Sequence, residues 1–75
     1  MSKVNLVKLN EAIKMLGGIG PLALSLGMSY QSIVEWRGQR RKPTPLSCKK
    51  IEKATGGKIK AEELLPDFSW DEWPK

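Results

Sequence analysis

Apolar residues recur at helical spacing along most of this chain, and glycines or proline-bearing turns interrupt each run. Leu9, Ala12, Ile13 and Leu16 share one face of a predicted helix that starts at about Asn5 or Leu6, with Lys8, Glu11 and Lys14 turned away. Asn5 and Ser2 are both candidate caps, Val4 and Leu6 are alternatively the start of an extended segment, and Gly17 is the stop. A second stripe, Leu22, Ala23 and Leu26, belongs to a helix beginning near Ile19 to Pro21, where proline suits a first turn that lacks N–H partners. Gly27 ends it, Met28 and Ser29 make a turn, and Ile33 and Trp36 restart the stripe in a third helix ending at Gly38. Residues 39–44 read as a loop, and Thr44-Pro45 as a cap and first turn. The fourth helix is expected to hold Leu46, Ile51 and Ala54 inward and to end at Gly56-Gly57. Lys58, Ile59 and Lys60 form an extended link with Ile59 inward, and a short last helix, Ala61 to Leu64, stops before Pro66. No strand, internal repeat or low-complexity stretch is expected.

Between residues 17 and 37 this pattern describes a two-helix corner. Ala23 is small where the second helix must cross closely, and Gly27 permits the left-handed backbone of the turn. Ser29 is placed to cap the following helix through its hydroxyl. With Ile33 and Trp36 buried, the exposed side of that helix carries Tyr30, Gln31, Ser32, Val34 and Glu35, mostly groups able to read base edges. The pattern is that of a helix-turn-helix, and it points to nucleic-acid binding.

Charge supports the same reading through its placement. The net charge is +5, but residues 37–60 hold nine basic side chains against one acidic, Glu52. A basic block directly after a reading helix is where phosphates lie; alone it is equally a solvated helix face. The last ten residues reverse the sign, with Asp67, Asp71 and Glu72 against Lys75. Seventy-five residues make one small domain. A single cysteine, Cys48, and no histidine exclude an internal disulfide, the usual zinc spacings and Ser-His chemistry. No enzyme, metal or cofactor is expected. No standard export signal or membrane span is legible, and the lone thiol suits a reducing cytoplasm.

From Gly17 to Phe68 the chain resembles the small Cro-like and YdaS-like helix-turn-helix regulators of phages and prophages. The resemblance is carried by Gly17-Gly18, Leu22-Ala23, Leu26-Gly27, Ile33, Trp36, Pro45, the run Ile51-Glu52-Lys53-Ala54-Thr55-Gly56-Gly57 and Leu64-Leu65-Pro66-Asp67. It implies an all-α, five-helix, lambda-repressor-like or Cro-like DNA-binding domain over residues 1–66, followed by an extended acidic, aromatic tail, 67–75. It also implies a homodimer on a palindromic double-stranded operator. Many relatives place a polar residue at the start of the second helix to reach a phosphate; Ile19 stands there, leaving backbone N–H groups of Gly18 to Gly20 for that role.

The expected base-reading set is Ser29, Tyr30, Gln31, Ser32, Val34 and Glu35, and the phosphate set Gly18, Gly20, Arg37, Gln39, Arg40, Arg41 and Lys42. Glu35 either accepts from cytosine or pairs with a neighbouring arginine and orients it. Arg40 and Arg41 neutralise phosphates or, alternatively, enter a minor groove. Trp36 is read as core and Cys48 as a half-buried packing residue. Phe68, Trp70 and Trp73 need cover: the tail folds back on the core or reaches a second subunit, folding back being favoured for the first two. Two rival readings are an antitoxin-like regulator that binds a partner protein through its tail, and a non-specific nucleoid or RNA-binding protein.

Overall fold

A computed structural model describes residues 4–72 and places five α-helices there: α1 Leu6–Leu16, α2 Ile19–Leu26, α3 Tyr30–Arg37, α4 Pro45–Ala54 and α5 Ala61–Leu64, followed by a 3₁₀ turn at Trp70–Glu72. There is no strand among the described residues. Ser2 and Trp73 lie outside them.

Caps explain why the helices begin where they do. Asn5 Oδ1 accepts from the Val7 and Lys8 N–H groups at 3.1 and 3.3 Å, Ser29 Oγ from Ser32 N–H at 3.2 Å, and Thr44 Oγ1 from Ser47 N–H at 3.2 Å. Glu63 Oε1 accepts the Lys60 N–H at 3.0 Å at the start of α5. Three helix ends share one device. A residue in the left-handed region donates to the carbonyl three back, and the next residue donates to the carbonyl five back. The left-handed residues are Gly17 after α1, Gly27 after α2 and Gly56 after α4. Their partners are Lys14 and Ile13, Leu24 and Ala23, and Lys53 and Glu52.

Each helix contributes one fully buried aliphatic side chain to a common core: Leu9, Leu22, Ile33, Ile51 and Leu64. Val4, Ala12, Trp36 and Cys48 fill in around them. Burial of a Leu or Ile side chain contributes roughly 1.5–3 kcal/mol, so these five positions dominate the stability of so small a domain. Asn5 N–H donates to Leu64 carbonyl at 2.8 Å, fastening the start of α1 to the end of α5.

The fourth helix holds Ile51 inward as expected, but Leu46 turns outward. Ser47, Cys48 and Ile51 face inward, Ala54 is half-buried, and Leu46 is 57 % exposed. The cap at Thr44 fixes this phase. Thr44 Oγ1 donates to Ser47 Oγ at 3.0 Å, and the Ser47 hydroxyl points at Met28 Sδ, 3.8 Å away in the turn between α2 and α3. A polar residue thus takes the inward position that its apolar neighbour was expected to fill. Cys48 is fully rather than half buried, and burial pushes its thiol pKa up to about 12.

The run Ile51-Glu52-Lys53-Ala54-Thr55-Gly56-Gly57 is a latch between α4 and α5. The buried Thr55 hydroxyl lies 3.0 and 3.1 Å from the Ile51 and Glu52 carbonyls and accepts the Ile59 N–H at 3.2 Å. Glu52 Oε1 accepts the Ala61 N–H at 2.9 Å at the first turn of α5. Phe68 and Trp70 fold back on the core. The Trp70 indole donates to Leu65 carbonyl at 2.8 Å, the two rings meet edge to face at 4.8 Å, and Lys49 Nζ lies 5.3 Å above the Trp70 ring.

Candidate nucleic-acid interface

The α2–turn–α3 unit is held rigidly from beneath. Leu22, Ala23 and Leu26 of α2 and Ile33 and Trp36 of α3 are all buried, so the outer side of α3 is fixed by packing. At 100° per residue Gln31 stands opposite the Ile33–Trp36 seam, with Tyr30 and Val34 on one flank and Glu35 on the other. Tyr30 is 58 % exposed, Gln31 and Arg37 are exposed, and Val34 is half-buried. Ser32 and Glu35 are half-buried as well, so Tyr30, Gln31 and Arg37 are the exposed part of the face expected to read bases.

Other members of the expected reading set have partners within the fold. The Ser29 hydroxyl caps α3 and lies 3.0 Å from Ser32 Oγ, so both are engaged at the helix start. Glu35 takes the second of its two expected alternatives: its carboxylate meets Arg41 Nη1 at 3.3 Å. At the start of α2, the Gly18 N–H donates to Ile13 carbonyl at 2.8 Å, while Gly20 N–H has no acceptor among the described residues.

The third helix ends at Gly38 as expected, and Gly38 has an ordinary right-handed conformation (φ −82°, ψ 0°). The left-handed residue is Gln39, at φ 62° the sole non-glycine with positive φ among the described residues. Gln39 N–H donates to Trp36 carbonyl at 3.1 Å and Arg40 N–H to Glu35 carbonyl at 2.9 Å, the same closure that glycine makes elsewhere.

The closure aims the basic loop. Arg37 at the end of α3 and Gln39, Arg40, Arg41 and Lys42 directly after it are all exposed, with Lys50 and Lys53 exposed on α4. Lys49 is engaged in structure instead, 3.7 Å from Glu52, 4.0 Å from Glu62 and over Trp70. A polar helix face beside a run of exposed cations has the chemistry to contact base edges and phosphates together. No group of three or more potential metal ligands is found among the described residues, and no helix there is long and apolar enough to cross a membrane.

Residues 9–73 match the family described as bacterial toxin YdaS. A protein of Escherichia coli (strain K12), described as a candidate transcriptional regulator and named YdaS, is 39 % identical over 61 residues, 80 % of this chain. The chain spans 61 % of that relative's length. No solved structure matches.

Proposed function

Since the chain belongs to the YdaS family, we propose that it is a sequence-specific DNA-binding regulator of transcription that sets the outer face of α3 into the major groove. The observation that carries this reading is the supported outer face of α3, with Tyr30, Gln31 and Arg37 exposed and Val34 half-buried, lying next to the exposed Arg40-Arg41-Lys42 loop. The relative's description as a regulator supports it, and the word toxin in the family's description names no chemistry that this surface lacks or needs.

The roles divide by chemistry. Gln31 offers the paired donor and acceptor that match an adenine edge, and Tyr30 and Val34 offer contact to a thymine methyl. Arg37, Arg40, Arg41 and Lys42 neutralise phosphates, giving affinity and salt dependence without sequence choice. Gly20 N–H, at the positive end of α2, is a further phosphate donor. Glu35 orients Arg41, and the Ser29 and Ser32 hydroxyls hold α3 at its start. The protein acts as a Cro-like repressor: two copies bind a palindromic operator with their α3 helices in successive major grooves, about 34 Å apart, and block a promoter by occupancy.

Selection of bound duplexes from a random DNA pool tests this reading. A palindromic winner with half-sites one helical turn apart is the expected result. Recovery of a pool no different from the input overturns sequence specificity. Phe68 and Trp70 are half-buried against the core, which makes them poorer anchors for the partner-binding alternative.

A further inference from the structure

Four helices of this chain end in the same two-bond closure, and three of them use glycine at the left-handed residue. The exception, Gln39, closes the proposed reading helix. A side chain in that conformation brings Cβ against the following carbonyl oxygen, a clash that glycine lacks. The fold offers nothing in return: Gln39 is exposed, and its amide makes no hydrogen bond among the described residues. Its backbone, by contrast, is pinned from both sides by the bonds to Trp36 and Glu35 carbonyls. An uncharged donor therefore projects from a fixed point between the end of α3 and Arg40. Strain kept at a site where glycine would relieve it marks a side chain retained for contact.

We propose that the Gln39 amide donates to a DNA phosphate oxygen at the edge of the groove, as a neutral clamp that sets how deeply α3 sits. This rests on the DNA-binding reading above and assigns Gln39 a part that the neighbouring arginines do not play. An amide displaces no counterion, so its contribution is independent of salt, whereas each arginine contact steepens the salt dependence. A phosphate contact also treats all sequences alike.

The test is Gln39→Gly, compared with wild type in thermal unfolding and in binding across a salt series. The probes are the duplex recovered by selection and a mixed-sequence duplex. The substitution is expected to raise Tm by a few degrees by removing the strain. It should weaken binding to both duplexes by about tenfold or more, the loss of one hydrogen bond from an uncharged donor to a charged phosphate, with the slope of log affinity against log salt unchanged. Because stability and affinity move in opposite directions, misfolding cannot mimic this result. Unchanged affinity, a flattened slope, a loss confined to the selected duplex, or a fall in Tm each overturns the proposal. Wild-type protein that binds neither duplex overturns the DNA-binding reading itself.

Discussion

The Glu35 carboxylate lies 3.3 Å from the Arg41 guanidinium six residues further on, while the Glu35 carbonyl accepts the backbone N–H groups of Arg40 and Arg41 at 2.9 and 3.4 Å. One residue of α3 thus holds the basic loop by both its main chain and its side chain. The main-chain bonds are indifferent to the side chain, so Glu35→Gln should leave the loop closed and release only Arg41. An exposed pair of this kind is worth about 0–1 kcal/mol, so Tm should change little. Removing a negative charge beside the phosphates should raise affinity for mixed-sequence DNA at low salt. A new base preference at one operator position would instead make Glu35 a reader of cytosine.

Gln31 and Arg40 should fail in different ways. Gln31→Ala is expected to relax discrimination at one base pair, by about 1–3 kcal/mol. Arg40→Ala should weaken all duplexes alike and reduce the salt slope by about one. Repeating the selection with each variant, alongside salt titrations, separates the two. An unaltered sequence preference in Gln31→Ala would remove that side chain from the reading set.

Thr55 is the buried keystone of the α4–α5 corner. Thr55→Val keeps the shape but leaves the Ile59 N–H without its acceptor, an omission costing about 1–3 kcal/mol. For a domain of this size each kcal/mol shifts Tm by roughly 4–8 °C. Thr55→Ser, which retains the hydroxyl, should recover most of the difference; equal losses in both variants would put the effect in the methyl group.

Acid should loosen the start of α5. The Glu63 carboxyl is held below its ordinary pKa, chiefly by the Lys60 N–H, with Lys8 at 3.6 Å assisting against a partial opposing effect of burial. Its folded pKa lies below its unfolded one, so the contribution is complete above the ordinary carboxylate range and is lost as pH falls through the folded value. Tm measured from neutral pH downward should therefore decline through and below about pH 4, and Glu63→Gln should decline less. Parallel curves would show that other carboxylates govern acid stability.

Cys48 should be inert while the domain is folded. Its thiol is fully buried and its pKa raised to about 12 by that burial, so almost no thiolate exists near neutrality. A thiol-specific reagent at pH 8 should modify native protein at least about a thousandfold more slowly than protein in denaturant, as expected when reaction waits on opening. Comparable rates would mean the α4 packing is loose.

Helix boundaries were legible because their signals are local: Asn5, Ser29 and Thr44 each cap with a side chain two or three residues from its partner. The corner from α2 to α3 was legible for the same reason. The outward turn of Leu46 in α4 was not, because Leu46 looks like core until the Thr44–Ser47–Met28 contacts place Ser47 inward instead. At the site, the outward face of α3 followed from the spacing of Ile33 and Trp36. The engagement of Ser29, Ser32 and Glu35 depends on which polar neighbour arrives first, and composition cannot say that. The left-handed backbone of Gln39 was not legible, because no residue type that favours that conformation stands there.

The repeated helix closures also bear on how the protein works in time. Segments that terminate through their own nearest carbonyls need no distant partner to define their limits, and such predominantly near-neighbour topologies assemble in microseconds to milliseconds. Each newly made copy of this domain is thus expected to fold fast compared with its synthesis. On the proposed reading, the abundance of the chain, set by synthesis and degradation, is then the slow variable to which a target promoter responds.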